Sequence, residues 1–203
     1  MDWMIVLYIG IGYLLGSIPF ALVIGKLFYH TDVREFGSGN LGGTNAGRVL
    51  GKKAGIATIL LDIVKVILAV AIVSVGFDNQ EMSIWAGVAA AFGHCYPIFA
   101  HFKGGKAAAT LVGFLLSTAI FTFHSVWFII VPLIAFFLLL YLFKMVSLAS
   151  MGMALVSSIY ITCMQNELII TAASWLLTVL VIYRHRANII KIKNHKESKI
   201  TWM

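Results

Sequence analysis

Seven apolar runs joined by short polar connections decide most of what this chain can fold into. They cover roughly 3–29, 54–77, 84–101, 107–123, 126–143, 149–165 and 168–183. An α-helix needs roughly 20 apolar residues to cross the hydrocarbon of a bilayer, and these runs are of that order. A closed β-barrel would alternate polar and apolar residues, which the run from Ile129 to Phe143 does not. With 61% hydrophobic and only 11% charged residues, the chain lacks the polar surface that a soluble domain needs. The expected fold is therefore all-α, a polytopic membrane helix bundle of about seven transmembrane helices. No long linker or low-complexity tract divides it, so 1–203 reads as one domain. The N-terminus has no basic region and no cleavage pattern, which predicts a retained first helix and not a signal peptide.

Charge gives the expected orientation. Under alternation, one side receives the N-terminus and the connections near 78–83, 124–125 and 166–167, with Asp2, Asp78, Glu81 and Glu167 and neither lysine nor arginine. The other side receives 30–53, 102–106, 144–148 and 184–203. Those stretches hold Arg34, Arg48, Lys52, Lys53, Lys103, Lys106, Lys144, Arg184, Arg186, Lys191, Lys193, Lys196 and Lys199, 13 of the 15 basic residues. Cytoplasmic connections are the ones enriched in lysine and arginine, so the expected topology is N-out, C-in. The net charge of +7 is spent on that asymmetry and on anionic ligands, with no nucleic acid implied.

Several polar features inside the spans have packing explanations. Asp62 and Lys65 stand three residues apart on one helix and can neutralise each other. Gly12 and Gly16 form a small-residue face suited to close helix contact. Pro19 bends the first helix, and Gly93 and Pro97 break or kink the third near its inner end. Cys95 and Cys163 read as small buried hydrophobes. The six histidines show no cluster spacing, so no metal and no other cofactor is expected.

Three basic-side segments carry potential chemistry. The first, Gly37 to Arg48, packs glycines, hydroxyls, carboxamides and a guanidinium into twelve residues. Glycines bring backbone N–H groups close to an anion; Ser38, Asn40, Thr44 and Asn45 donate hydrogen bonds, and Arg48 can grip a phosphate with two. Gly39 and Gly42 belong to the same turn. The second runs from Gly93-His94-Cys95-Tyr96-Pro97 into Lys103-Gly104-Gly105-Lys106, which opens the next helix, where unpaired N–H groups favour an anion. It is not a Walker A loop, because Ala107 stands where serine or threonine is needed. The third is the tail Arg184-His185-Arg186-Ala187-Asn188, with Glu197 beyond. A basic tail alone would serve anionic lipid, but His185 and Asn188 are unnecessary for that. Lys144, Ser147 and Ser150 occupy the remaining basic-side connection.

Together these residues resemble the bacterial acyl-phosphate:glycerol-3-phosphate acyltransferases of phospholipid synthesis, over nearly the whole chain. The resemblance rests on Ser38-Gly39-Asn40-x-Gly42-x-Thr44-Asn45-x-x-Arg48, with Gly16-Ser17-x-Pro19 before it. It continues through Gly93-His94-x-Tyr96-Pro97, Lys103-Gly104-Gly105-Lys106, and His185-Arg186-x-Asn188-Ile189 with Glu197. Two stretches depart from the family pattern: Ala107-Ala108-Ala109-Thr110 stands where Gly-Val-Ala-Thr is usual, and His195 where glycine is common.

The resemblance implies a multi-pass enzyme of the bacterial cytoplasmic membrane with its active site facing the cytoplasm. Its substrates would be acyl-phosphate and glycerol 3-phosphate, its surroundings membrane lipid, and no obligate protein partner is evident. It implies that Ser38 and Arg48 are essential, that His185 and Asn188 support them, and that Glu197 is structural. It makes Lys103 to Lys106 the glycerol 3-phosphate loop. His94, Ser147, Ser150 and Arg186 join the phosphate-binding candidates. The rival reading is a transporter of phosphate or an organic phosphate. Transporters usually place polar groups near the bilayer midplane, whereas the polar loops here gather at one interface.

Overall fold

The computed structural model describes residues 3–200, so Asp2 lies outside the described residues. Helices make up the regular structure, and no strand occurs among the described residues. The chain forms two compact units, divided between Ser117 and Thr118.

The first unit holds α1 (Trp3–Gly16), α2 (Phe20–Tyr29), α3 (Gly43–Leu50), α4 (Lys52–Ala71), α5 (Gln80–Cys95) and α6 (Ala108–Ser117). α1 and α2 are two halves of one apolar run. They part at Ser17–Pro19, because proline supplies no N–H to the helix ladder. The expected small-residue contact is present. A methyl group on Gly12 or Gly16 would strike the backbone of Ala86 or Ala90, so α1 and α5 touch main chain to main chain.

α4 displays an arrangement opposite to that of a soluble helix. Its exposed row is Ile56, Leu60, Val64 and Leu68, while Thr58, Asp62 and Lys65 are buried. Apolar residues facing outward over a polar interior suit a lipid surround, in which a charge must find its partner inside the protein.

Gly93 does not break α5, which runs through it to Cys95. The glycine is there for space, since a methyl group would meet the backbone of Tyr13 and Ser17. The break comes at Pro97, which leads into a single 3₁₀ turn, Ile98–Ala100.

The second unit holds α7 (Trp127–Phe143), α8 (Val146–Met164), α9 (Leu168–Arg184) and α10 (Arg186–Lys193). Ser158 and Thr178 share a hydrogen bond of 2.7 Å between α8 and α9, and the Thr178 hydroxyl also reaches the Ala154 carbonyl at 2.8 Å. Buried hydroxyls thus pair internally where no water is available. Cys163 lies exposed on α8, unlike the buried Cys95, and so is not the core residue expected.

Every apolar run of the sequence contains helix. Four helical stretches are long and apolar enough to cross a membrane: Trp3–Tyr29, Lys52–Gly76, Gln80–Ala100 and Val146–Met164. α9 and α10, bent by 57° at His185, make a fifth if they count as one span. Ala108–Thr122 and Trp127–Phe143 are shorter apolar helices.

Candidate functional site

In the first unit the Ser38 segment is a folded loop followed by a helix. Asn45, 2% exposed, organises it. Its Oδ1 accepts from the Ser38 N–H at 2.8 Å, and its Nδ2 donates to the carbonyls of Val33 at 2.9 Å and Phe36 at 3.2 Å. Gly37 (φ 62°) and Gly39 (φ 66°) turn through the left-handed region that a side chain disfavours. Asn45 is therefore occupied in shaping the turn, a use that the sequence does not announce. Ser38 itself is exposed.

The residues from Gly43 onward form α3 instead of continuing the turn. Gly47 of α3 packs on Gly55 of α4; a methyl group on Gly55 would sit 2.6 Å from the Gly47 Cα. Thr44 and Arg48 are one helical turn apart and both exposed, so they share a face of α3.

Upstream, Asp32 accepts from Arg34 Nε at 2.9 Å and Nη2 at 2.6 Å, with Lys26 at 3.7 Å. The Arg34 guanidinium, aided by its backbone N–H and by Lys26, holds the Asp32 carboxyl down at about 2 despite the opposing effect of burial. Arg34 is thereby committed to the loop, while Arg48 remains exposed.

The lysine–glycine segment lies beside this loop. Asn40 Nδ2 donates to the Gly104 carbonyl at 3.2 Å, tying the two together. The Gly105 N–H donates to the His94 carbonyl at 2.9 Å. A methyl group on Gly105 would run into Nε2 of the His94 ring, and one on Gly104 into the His94 carbonyl oxygen. These two glycines are required by close packing under His94. Lys103 is exposed and Lys106 partly so.

The segment does not open a helix directly, because α6 starts only at Ala108. His101 (φ 54°), Phe102 (φ 59°) and Ala107 (φ 61°) all lie in the left-handed region, so this loop is strained on both sides of the lysines.

In the second unit, Glu197 Oε1 accepts from Ser147 Oγ at 2.8 Å and from Asn188 Nδ2 at 2.7 Å. The Ile200 N–H donates to the Lys144 carbonyl at 2.8 Å. The tail is thus fastened to the turn between α7 and α8. Ser150 donates to the Val146 carbonyl within its own helix at 2.8 Å, and Arg186 stacks on the Tyr183 ring at 4.6 Å. His185 is buried, and its Nδ1 lies 2.8 Å from the Val181 carbonyl. A carbonyl only accepts, so Nδ1 carries a proton there.

Both positions at which the family pattern has glycine fall on strained backbone. Ala107 has φ 61° and His195 φ 55°, so the glycine usual at each has a conformational reason. His195 is exposed. His195→Gly should raise stability by about 0.5–1 kcal/mol, the relief of left-handed strain less the added chain entropy. Thermal unfolding in detergent should show a Tm higher by a few degrees, and an unchanged or lower Tm would contradict it.

Fold and site together define an α-helical integral membrane protein with polar, cation-bearing loops at the ends of its spans. The family model described as "Glycerol-3-phosphate acyltransferase" matches residues 6–195. A glycerol-3-phosphate acyltransferase of Macrococcus caseolyticus is 44% identical over 196 residues, covering 97% of each chain. One of Bacillus cereus is 48% identical over 189 residues, 93% of this chain and 91% of that one. Among solved structures, PlsY (YgiH), an integral membrane glycerol 3-phosphate acyltransferase in its glycerol 3-phosphate form, superposes with a TM-score of 0.87 at 31% identity, covering 98% of this chain and 96% of that chain. Its lysophosphatidic acid form gives 0.83 at 30% identity with the same coverage. The chain belongs to the glycerol-3-phosphate acyltransferase family.

Proposed function

We propose that this protein transfers an acyl group from acyl-phosphate to the 1-hydroxyl of glycerol 3-phosphate, releasing 1-acylglycerol 3-phosphate and phosphate. The observation that carries this reading is the Asn40–Gly104 hydrogen bond, which sets the Ser38 loop beside the lysine–glycine loop. The reaction needs those two elements together. Acceptor and donor both carry phosphate, and arginine and lysine supply compensating charge. The glycerol 3-phosphate and lysophosphatidic acid forms of the solved relative supply the matching acceptor and product.

An acyl phosphate is a mixed anhydride with a good leaving group, so transfer can be direct. The substrate hydroxyl oxygen attacks the carbonyl carbon, the carbon–oxygen bond to phosphate breaks, and phosphate departs with the electron pair. The protein has to orient the reactants and stabilise the tetrahedral oxyanion. Arg48 and Lys106 hold phosphate, with Lys103, Gly104, Gly105 and Thr44 beside them, and Ser38 donates to the reacting centre. The hydroxyl proton goes to a phosphate oxygen of the substrate or to His185.

On this reading the two shorter apolar helices also cross, giving seven spans, N-out and C-in. The single domain 1–203 then sits in the bacterial cytoplasmic membrane with its site at the cytoplasmic face.

The test is purified protein in detergent given glycerol 3-phosphate with either acyl-phosphate or acyl-CoA. Product from acyl-phosphate alone is expected, and Ser38→Ala should lower turnover by about two orders of magnitude, as loss of one oxyanion donor does. Acylation from acyl-CoA alone would overturn the donor assignment, and a trapped acyl-enzyme would overturn direct transfer. Product formed without a second compartment also excludes obligate transport.

A further inference from the structure

The sequence pairs Asp62 with Lys65 and leaves the pair to helix packing. The structure adds a third member and a direction. Lys65, 2% exposed, places its Nζ 2.7 Å from Asp62 Oδ1, 2.9 Å from the Ile18 carbonyl and 3.1 Å from His94 Nδ1. An ammonium has three N–H bonds and accepts none; Nζ donates to the Ile18 carbonyl and lies within hydrogen-bond distance of His94 Nδ1, while Asp62 pairs with it by charge. His94 Nδ1 must then be the accepting nitrogen, and the ring proton sits on Nε2. That is the edge against Gly105 in the lysine–glycine loop. The Asp62 oxygen is itself 3.4 Å from His94 Nδ1, so without Lys65 it would draw a proton there instead.

We infer that Lys65 and Asp62 are positioning residues, which fix His94 as the Nε2–H tautomer and hold that donor edge against the Gly104–Gly105 turn. The inference rests on the acyltransferase reading of the same loop. Lys65, paired with Asp62 on α4, ties that helix to two others: the α1–α2 break through Ile18 and the end of α5 through His94. His94 then contacts the loop twice, by its carbonyl on the Gly105 N–H and by its ring on the Gly105 Cα. A buried ion pair adds little net stability when a hydrophobic pair can replace it. An ordered donor aimed at a substrate loop requires these charges in a way that helix packing does not.

The experiment combines histidine ¹⁵N NMR with steady-state kinetics on wild type and Lys65→Met in detergent. The wild-type His94 signals, assigned by loss in His94→Asn, should show a bare Nδ1 and a protonated Nε2. Lys65→Met should place a proton on Nδ1, raise KM for glycerol 3-phosphate at least tenfold, and leave KM for acyl-phosphate within twofold. Should Lys65→Met not purify as a folded protein, the pair Asp62→Asn with Lys65→Gln removes both charges at similar volume and carries the same expectations for glycerol 3-phosphate. A folded variant with unchanged ring nitrogens overturns the inference, as does an altered tautomer with glycerol 3-phosphate KM within twofold of wild type. If wild type itself makes no acylglycerol phosphate, the acyltransferase reading fails separately, and the ring-nitrogen signals still decide whether Lys65 sets His94.

Discussion

Arg48→Ala should lower kcat/KM by roughly 10²–10³ with the fold intact, the size expected for removing one charge-stabilising donor from a transition state. Arg48 is exposed on α3, and the core of that helix is Asn45 and Ala46. Truncation therefore removes a guanidinium and leaves the packing alone. The glycine contact with α4 and the bonds of Asn45 all remain. Arg48→Lys should recover only a small part of the loss, because an ammonium is a point charge and cannot present two parallel N–H bonds to a phosphate. Turnover of each variant, with size-exclusion profiles to confirm folding, decides the matter. Full activity in Arg48→Ala would remove the guanidinium from the reaction, and full recovery by lysine would reduce its part to charge alone.

The sequence discloses the apolar helices because hydrocarbon imposes a length and a polarity that few other environments demand. The Gly12–Gly16 face was legible for a similar reason, being a local rule with one dominant outcome, and so was a bend at Pro19, which the structure makes a full interruption. α3 was not legible. Glycines at 43 and 47 have poor helix propensity, and the helix exists because they fit against Gly55, a tertiary contact with no local sign. The late start of α6 escaped as well, since only the backbone angle of Ala107 reveals that the chain is still turning there.

At the site, residue types pointed to phosphate but did not separate ligands from scaffolding. Asn45 and Ser147 read as donors to substrate and Asn188 as a support to catalysis, and the structure gives each a protein partner. Carboxamides and hydroxyls serve either purpose, and only the positions of their neighbours distinguish them. His94 is a similar case, because its connection to Asp62 and Lys65 crosses from one helix to another.

The second large effect should come from Asn45, a residue expected to act without touching substrate. One carboxamide serves three backbone groups, accepting from the Ser38 N–H and donating to the carbonyls of Val33 and Phe36. Asn45→Ala leaves all three without that partner, in a place only 2% exposed. The Phe36 carbonyl keeps the Gly39 N–H, but a buried group left unsatisfied, as at Val33, costs about 1–3 kcal/mol. The loop should relax instead of bearing that cost, and Ser38 would lose its place. Activity should fall by about two orders of magnitude, comparable to Ser38→Ala, while the helical spans keep their circular dichroism. Asn45→Asp separates the two halves of the role. A carboxylate still accepts from the Ser38 N–H but gives nothing to Val33 and Phe36, whose carbonyl oxygens it would repel. It should therefore be no better than alanine if the carbonyl bonds hold the loop, and clearly better if the Ser38 bond alone suffices. Faster hydrogen–deuterium exchange confined to residues 33–40 in Asn45→Ala is the accompanying signature. Unaltered exchange there with activity lost would instead mean that Asn45 meets the substrate directly.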